Sequence, residues 1–335
     1  MEQVLEQREG HFFPQQVEFP KIYVIHENPE WVLPLWEELN LLGLPYEDWF
    51  INEGGFDLAA LPPEGIFYNR MSASSHTRGH RFAVELANPL LTWLETNGRR
   101  VINGANTINT EVNKANQYLM LKASGIQTPY TLIANNNQQL IELARVFNDQ
   151  PFIVKPNRGG KGLGVQLFHS IEALKWQLEN NPDFESLDGI YLLQQYIKPP
   201  ESEIVRMEFI GGKFYYAVAV DTSGGFELCP ADACEIEDQF CPTTPGETEK
   251  PKFRIIEGFQ NPDIPKIEGF LQRNRIDIAG IEFLTDSNGK RYVYDINTNT
   301  NYNGEAEKNT AYQWKGMREV AQFLSQEFKK AYIEI

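Results

Sequence analysis

The chain has 335 residues, a formal net charge of −16 and an ordinary globular composition with 41% hydrophobic residues. A surface this acidic repels phosphates, which argues against nucleic acid or an anionic membrane as the main partner. No apolar run is long enough for a membrane span, and the first residues lack the apolar core of a signal peptide, so we expect a cytoplasmic protein.

Short apolar runs and helical patterns alternate over residues 1–106, which we take as an N-terminal domain. Strands are predicted at 21–26, 65–68 and 100–102, and helices at 31–42 and 81–96. Alternation of strands and helices is typical of a parallel α/β domain. This part of the sequence therefore predicts a small parallel sheet flanked by helices.

Residues 69–81 gather three arginines and two histidines at the end of a predicted strand. Ligands of parallel sheets bind beyond the carboxyl ends of the strands. The segment is either the edge of a pocket for an acidic substrate or a solvated loop that leads into a helix. On the first interpretation, the candidate substrate contacts are Arg70, His76 and Arg78.

A second domain is predicted at residues 107–188. It opens with a helix over 110–124 that Gly125 ends, and Lys114 lies near the start of this helix beside its apolar stripe. A lysine in that position is usually a surface residue. A strand at 129–134, a helix at 138–147 and a helix at 171–179 complete the pattern.

The same domain contains a hairpin with glycines at 159, 160, 162 and 164. Glycine lets backbone N–H groups approach an anion closely, because no Cβ stands in the way. Lys155 ends the preceding strand, and Arg158 and Lys161 add positive charge to the loop. The pattern favours a phosphate-binding loop, with a plain surface hairpin as the alternative.

A third domain is predicted at residues 189–335. Strands at 190–197 and 203–210 precede the turn signal Gly211-Gly212, after which the chain returns as a strand. Arg206 and Glu208 alternate with the apolar Val205, Met207 and Phe209 and are predicted to share the opposite face. A last helix is predicted over 313–331.

Residues 223–252 have no clear period and contain all three cysteines: Cys229, Cys234 and Cys241. An odd number of cysteines in a cytoplasmic setting argues against a disulfide framework. Their spacing fits no common zinc site. We therefore expect the cysteines to bind no metal and either to belong to a mobile loop or to pack as small apolar groups.

Two strands, at 276–285 and 290–297, are joined by Asn288-Gly289, a strong hairpin signal. A two-residue loop there places Ser287 opposite Lys290. Counting along the ladder from that pair predicts that Ile281, Phe283, Tyr294 and Ile296 lie on the buried face.

The same register places Glu282 opposite Asp295, with Asn297 on the same face. Two facing carboxylates repel each other, so the arrangement favours a cation between them. Three hard oxygen ligands at this spacing suit Mg²⁺ shared with substrate phosphates. The alternative is a pair of solvent-facing acids.

Taken in order, these features resemble the ATP-grasp enzymes, above all the branch of glutamate-adding peptide ligases and glutathione synthetase. The resemblance covers about residues 100–300 and implies an α/β (α+β) architecture in which an N-terminal domain precedes two subdomains that enclose ATP. The matching features are Lys114, Lys155 before a glycine loop, Gln194-Gln195-Tyr196-Ile197, Arg206, Ala279-Gly280-Ile281-Glu282 and Asp295-Ile296-Asn297.

The resemblance implies roles for particular residues. Arg206 and Lys155 are the implied catalytic residues, and Glu282, Asp295 and Asn297 are the implied ligands of Mg²⁺, with Mn²⁺ as an alternative ion. The implied ATP-binding residues are Lys114, Lys155, Gly159, Gly160, Lys161, Gly162, Gln194, Gln195, Tyr196, Ile197, Glu201 and Glu203.

Two departures from the family pattern stand out. Ile204 occupies the place of a usual acid, so the ribose contact is left open between Glu201 and Glu203. The segment 297–303 replaces the usual Asn-Ser-x-Pro-Gly and would border the acceptor substrate, with Asn299 and Asn301 as candidate contacts.

The implied reaction is ATP-dependent ligation of a carboxylate to an amine through an acyl phosphate, on an amino acid or small peptide. The partners are then a small-molecule acid and amine, and a homo-oligomer is left open. The alternatives are an ATP-dependent small-molecule kinase and a non-catalytic ATP-binding regulatory module.

Overall fold

A computed structural model describes residues 19–148, 150–160, 162–181, 186–223, 251–311, 313 and 315–333. These residues form two compact units. The first takes in the described residues up to Met71, together with Ser75–Ala105 and those from Met317 onward, and the second takes in Ser72–Ser74 and Asn106–Gly316. None of the helices in the described ranges has the length and apolar character needed to cross a bilayer.

The first unit contains a parallel sheet, as the sequence predicts. Its strands follow the spatial order β2-β1-β3-β4, and every neighbouring pair is parallel. Apolar runs make β1 and β3 buried along almost their whole length, as expected for strands covered on both faces. The strands are β1 (Lys21–His26), β2 (Tyr46–Phe50), β3 (Gly65–Asn69) and β4 (Arg100–Ile102).

Three helices accompany this sheet: α1 (Leu33–Leu41), α2 (Ala83–Thr96) and, at the end of the chain, α9 (Gly316–Tyr332). Pro34 occupies the first turn of α1, where its missing N–H costs nothing. The Tyr332 hydroxyl accepts a hydrogen bond of 2.8 Å from the Gly65 N–H, which fastens α9 to β3. The final helix thus groups with the N-terminal unit, whereas the sequence placed it in the third predicted domain.

The second unit contains two antiparallel sheets. The smaller sheet has the order β5-β8-β6-β7 and carries the predicted glycine hairpin between β6 and β7. Its apolar core packs under α5 (Asn137–Ala144) and α6 (Ile171–Asn180). The strands are β5 (Thr131–Ala134), β6 (Phe152–Pro156), β7 (Gln166–Phe168) and β8 (Tyr191–Gln195).

The larger sheet has the order β11-β10-β9-β12-β13. One face forms a core with α4 (Lys114–Ala123) and α7 (Ile264–Arg273), so the other face is left for polar side chains. Gly211 and Gly212 have φ of 61° and 69°, which suits the predicted turn between β9 and β10. The strands are β9 (Glu203–Ile210), β10 (Lys213–Asp221), β11 (Phe253–Ile255), β12 (Ile278–Thr285) and β13 (Arg291–Asn297).

The single helix predicted over residues 110–124 is wrong. The chain instead forms α3 (Ala105–Glu111) and a separate helix α4 that begins at Lys114. The Asn113 side chain accepts a hydrogen bond from the Asn116 N–H, so it caps α4 and starts it afresh. Gly125, with φ of 69°, follows the end of α4 as predicted.

A short helix, α8 (Gly304–Lys308), precedes α9. The sequence prediction missed β2, α8 and β11, which have five residues or fewer, and it also missed the longer helix α7. The long loop at 223–252, with Cys229, Cys234 and Cys241, lies almost wholly outside the described residues, as does Lys161. The domain boundaries predicted after residues 106 and 188 stay predictions.

Candidate functional site

A row of three charged side chains crosses the polar face of the larger sheet. Arg206 on β9 pairs with Glu282 on β12, and Glu282 pairs with Asp295 on β13. The Arg206 guanidinium donates a hydrogen bond of 3.0 Å from Nη1 to the Glu282 carboxylate. The predicted facing of the two acids is therefore confirmed, and a buried arginine adjoins them.

The loop between β12 and β13 differs from the prediction, although Glu282 still pairs with Asp295. Asp286 pairs with Lys290 through a backbone hydrogen bond of 2.9 Å, so the loop has three residues and Ser287 does not face Lys290. An irregularity beside Glu282 then shifts the ladder by one residue on β13. The shift restores the pairing of Glu282 with Asp295.

The same shift changes where Tyr294 lies. Its hydroxyl donates a hydrogen bond of 2.9 Å to Glu282 Oε2, so the ring lies on the side of the carboxylate. The prediction that Tyr294 shares the buried face with Ile281, Phe283 and Ile296 is wrong for this residue. The bulge supplies the Glu282 carboxylate with a hydroxyl donor that a regular ladder would have turned away.

Asn297 completes the predicted oxygen cluster. Its side-chain amide donates a hydrogen bond of 3.1 Å to Glu282, which places it on the same face as both acids. In the described part of the chain, no group of three or more His, Cys, Asp or Glu side chains could hold a metal. The predicted cluster instead consists of the two carboxylates of Glu282 and Asp295 and the amide oxygen of Asn297. This donor set suits a hard cation that takes its other ligands from phosphates.

Burial and the neighbouring Asp295 raise the pKa of Glu282, while Arg206 and the Tyr294 hydroxyl oppose that rise. Two close carboxylates in a buried site destabilise each other unless cations accompany them. Arg206 contacts Glu282, and Lys114 forms an ion pair with Asp295. Each acid of the facing pair thus has its own cation.

Lys114 is the first residue of α4 and is 8% exposed, so it differs from most lysines, which lie on the surface. Two hydrogen bonds fix this end of the helix to the segment after β6. The Lys114 N–H donates to the Asn157 carbonyl at 3.2 Å, and the Ala115 N–H donates to Asn157 Oδ1 at 2.9 Å. These bonds connect the smaller sheet to the helix that packs on the larger one.

Lys155 on β6 is also buried, at 5% exposed. Its ammonium donates a hydrogen bond to the Tyr118 hydroxyl on α4 and lies 5.1 Å from the centre of the Tyr118 ring. Burial and the nearby Lys114 lower the pKa of Lys155 to about 7, against the opposing attraction of Asp295 and Glu282. Lys155 therefore shares one electrostatic environment with both acids.

The glycine hairpin forms between β6 and β7 as predicted. Gly162 and Gly164 have φ of 76° and 75°, which other residues rarely adopt. Gly159 and Gly160 are half-buried. Arg158, which the sequence placed as a charge on the loop, is buried at 7% exposed.

The implied ATP-binding residues Gln194 to Ile197 begin within β8. Gln194 is buried and donates a hydrogen bond of 2.9 Å to Thr131, whereas Gln195 is exposed, Tyr196 is half-buried and Ile197 is buried. Of the two ribose candidates, Glu201 is exposed and Glu203 forms an ion pair with Arg254 at 3.2 Å. The role of each of these residues stays a prediction.

The candidate acceptor contacts Asn299 and Asn301 follow β13 in the second unit, half-buried and buried respectively. Between and before them, two threonines bind buried carboxylates. Thr298 donates from its N–H and its hydroxyl to Glu111 at 2.6 and 3.0 Å, and the Thr300 hydroxyl donates to Glu208 at 2.8 Å. Burial raises the pKa of Glu111, which these hydrogen bonds counteract.

Two of the three arginines in the basic segment are bound within the N-terminal unit, whereas Arg81 is exposed. Arg70 is 1% exposed and donates a hydrogen bond of 3.0 Å to the Trp31 carbonyl. Arg78 binds the buried Glu27 carboxylate through Nε at 3.2 Å and through Nη2, and lies 4.5 Å from the Trp31 ring. His76 is half-buried.

His80 also contacts Glu27, at 2.9 Å. Glu27 therefore binds two basic groups of the segment, and one of them, Arg78, was a candidate substrate contact. The sequence reading did not consider this acid, which follows β1 and lies 51 residues before Arg78.

Comparison with known proteins agrees with this architecture. Residues 111–226 match the family model of the RimK-like ATP-grasp domain. A curated relative from Xanthomonas euvesicatoria pv. vesicatoria, named probable alpha-L-glutamate ligase, is 27% identical over 142 residues, which are 42% of this chain and 46% of that protein. The chain thus spans about half the length of the curated relatives that it matches.

Solved structures resemble the chain over most of its length. A RimK domain ATP-grasp protein from Sphaerobacter thermophilus aligns over 90% of this chain and 98% of its own, with a TM-score of 0.62 and 14% identity. D-cycloserine synthetase DcsG aligns over 92% and 100%, with a TM-score of 0.61 and 15% identity. D-alanyl-alanine synthetase A from Vibrio cholerae aligns over 93% and 99%, with a TM-score of 0.61 and 14% identity. These similarities establish the fold.

Proposed function

Because the chain carries a RimK-like ATP-grasp domain and has the ATP-grasp fold, we propose that it is an ATP-dependent ligase that joins a carboxylate to an amine. The proposal includes an acyl-phosphate intermediate. It extends to an amino acid or a small peptide as substrate.

One observation carries the proposal: three buried cations adjoin two facing acids in a single site. Lys114 pairs with Asp295, and Arg206 pairs with Glu282. The Lys155 ammonium lies 5.8 Å from the centre of the Tyr294 ring, whose hydroxyl binds Glu282. A purely structural site would gain little from so many buried charges, because each one loses its hydration. A bound triphosphate and divalent cation would explain both kinds of charge. The basic side chains would contact the phosphates, and the two acids would bind the metal.

The residues of this site fit Mg²⁺, which would polarise the transferred phosphoryl group when bound. Glu282, Asp295 and Asn297 would hold the ion. Phosphoryl transfer needs positioning and charge stabilisation more than covalent help from the protein. Lys114, Lys155 and Arg206 would supply fixed positive charge for the phosphates, and the backbone N–H groups of the glycine loop would add donors.

The two chemical steps then balance. The substrate carboxylate attacks the γ-phosphorus of ATP, the bond to the β-phosphate breaks, and ADP leaves. The amine attacks the acyl carbon of the resulting acyl phosphate, inorganic phosphate leaves, and the amine loses a proton. The acyl phosphate hydrolyses if water reaches it, so a loop that covers the site would protect this intermediate.

The substrate class rests on the names of related proteins. Curated relatives are called probable alpha-L-glutamate ligases, and structural neighbours include a D-alanyl-alanine synthetase and the ligase PsnB complexed with a precursor peptide. All of these names describe amino acids or peptides. An amino acid or peptide is therefore the first acceptor class to screen.

The decisive experiment follows ADP release while acids and amines are supplied separately and together, and identifies the product by mass spectrometry. We expect ADP release that needs both substrates and a product heavier than the acid by the amine minus water. A phosphorylated product that forms without an amine would favour a kinase. Glu282→Gln should abolish turnover, whereas Glu172→Gln, which changes an exposed acid on α6, should not.

A further inference from the structure

The divergent segment after β13 has an alternating pattern of burial. Thr298 and Thr300 are 3% and 1% exposed, whereas Asn299 between them is half-buried. The threonines therefore anchor the segment. What each threonine binds shows what the segment is anchored to.

Thr300 is bound on both sides of its hydroxyl. The oxygen accepts a hydrogen bond of 2.6 Å from Arg206 Nη2, and the hydroxyl proton is donated to Glu208 Oε2 at 2.8 Å. Glu208 in turn accepts a hydrogen bond of 2.6 Å from Arg206 Nε. Arg206, Glu208 and Thr300 thus form a closed ring of charge-assisted hydrogen bonds, which are stronger than neutral ones.

Two further contacts fix the guanidinium. Arg206 Nη1 donates to Glu282 at 3.0 Å. The plane of the guanidinium lies over Gly280, where an added Cβ would come within 2.5 Å of Nε and Nη2. Three nitrogens of one arginine are therefore held by three different residues above a glycine that leaves room for them.

Thr298 provides a comparison within the same segment. It also donates its hydroxyl to a buried carboxylate, but that carboxylate belongs to Glu111 on α3. Glu111 has no hydrogen bond to Arg206 among those described. The two threonines thus make the same kind of bond at neighbouring positions, and Thr300 alone of the pair also binds Arg206 in the described structure.

We propose that Thr300 and Glu208 are positioning residues that hold the Arg206 guanidinium against the terminal phosphoryl group of the nucleotide. The segment that borders the acceptor then also fixes the arginine that meets the phosphate. This inference rests on the proposed function for the identity of its ligand, ATP.

The test compares the binding of AMPPNP and ADP, which differ in the terminal phosphoryl group, by calorimetry in the presence of Mg²⁺. Thr300→Val removes both hydrogen bonds of the hydroxyl at nearly constant volume. We expect this variant to bind AMPPNP about tenfold more weakly than the wild type, because that factor corresponds to the loss of one hydrogen bond to a charged group. Its affinity for ADP should stay within about twofold of the wild-type value. Thr300→Ser keeps the hydroxyl and should restore the affinity for AMPPNP.

Thr298→Val is the matched control, because it removes a hydroxyl–carboxylate bond from the same segment without touching Arg206. Its ratio of AMPPNP to ADP affinity should equal that of the wild type. In an Arg206→Ala background, Thr300→Val should have no further effect on that ratio, since its action passes through the arginine. The Glu208→Gln variant should shift the ratio in the same direction as Thr300→Val.

Equal weakening of both nucleotides by Thr300→Val, or an undiminished effect in the Arg206→Ala background, would overturn the proposal. Neither result depends on turnover. A wild-type protein that binds AMPPNP but forms no amide would refute the ligase function and still allow this measurement. A ligase in which Thr300→Val leaves the affinity ratio unchanged would refute only the positioning role.

Discussion

Replacing Lys155 with methionine should stabilise the ligand-free protein while abolishing nucleotide binding. The side chain is 5% exposed, and burial beside Lys114 lowers its pKa from 10.5 to about 7. Methionine keeps the length and the apolar stem of lysine without the charge. The substitution therefore removes the unfavourable electrostatic interactions and retains most of the packing.

The pKa difference sets the magnitude. Between 10.5 and 7 it corresponds to a penalty of about 5 kcal/mol for keeping Lys155 protonated in the folded protein. Losing the hydrogen bond to the Tyr118 hydroxyl and the attraction of the ammonium to the Tyr118 and Tyr294 rings offsets about 2 kcal/mol of that gain. We expect Lys155→Met to raise the free energy of unfolding by about 3 kcal/mol at pH 7, given these two contributions.

The pH dependence has a definite sign. The folded state binds the Lys155 proton more weakly than the unfolded chain does, so the penalty is fully present below pH 7 and declines as the pH rises toward 10.5. Between pH 7 and pH 9, the free energy of unfolding of the wild type should therefore rise by about 2 kcal/mol relative to that of the variant. At high pH the stability advantage of methionine should largely disappear.

Urea denaturation of both proteins at pH 7 and pH 9 measures this difference. Lys122→Met on the exposed side of α4 is the control, because it makes the same substitution where the lysine is not buried. A Lys155→Met protein that is less stable than the wild type at both pH values by the same amount would refute the reasoning. That result would mean that Asp295 and Glu282 fully stabilise the ammonium.

Three further perturbations test the site and the N-terminal unit. Gly280→Ala places a Cβ within 2.5 Å of the Arg206 guanidinium, so turnover should fall at least about tenfold and the melting temperature should fall as well, because the displaced guanidinium strains its buried ion pairs; unchanged turnover would mean that the arginine can move aside at no cost. Tyr294→Phe removes the hydroxyl donor to Glu282 and should weaken activation by Mg²⁺ about tenfold in a metal titration, whereas an unaltered titration would exclude this supporting role. Glu27→Ala leaves Arg78 and His80 without their carboxylate, and chemical denaturation should show a loss of about 3 kcal/mol; a protein of wild-type stability would contradict the assignment of Glu27 as their partner.

The facing pair of acids was predictable from sequence because it depends on local chain reversal. Asn288-Gly289 fixed the position of the turn, and strand alternation fixed which side chains share a face. The predicted loop was one residue too short, and the prediction lacked a bulge of one residue, so the two errors cancelled at Asp295. Tyr294, which lies within the bulge, was the residue whose face the prediction got wrong.

The surroundings of Arg206 were not predictable in this way. Its alternation with Met207 fixed its face, but its neighbours come from β12, 76 residues later, and from Thr300, 94 residues later. Pairing between β9 and β12 is non-local and leaves no periodic signal in either strand. Similarly, nothing in the sequence around residues 69–81 indicated that Glu27 would bind Arg78 and His80.

The ion pairs of the site have a consequence for how its ligands bind together. Asp295 contacts Lys114 and Glu282 contacts Arg206, so each acid of the facing pair has a basic partner. A divalent cation alone would leave the basic side chains buried without their acids, and a triphosphate alone would leave the acids without their cations, each at a cost of several kcal/mol. If the cation and the triphosphate bind together, the acids pair with the cation and the basic side chains pair with the phosphates. Every buried charge then keeps a partner of opposite sign, and that cost is avoided. Under the proposed function, this exchange would favour the metal–nucleotide complex over either component alone, and the hydrogen bonds from Arg206 to Thr300 and Glu208 would keep its charge in place.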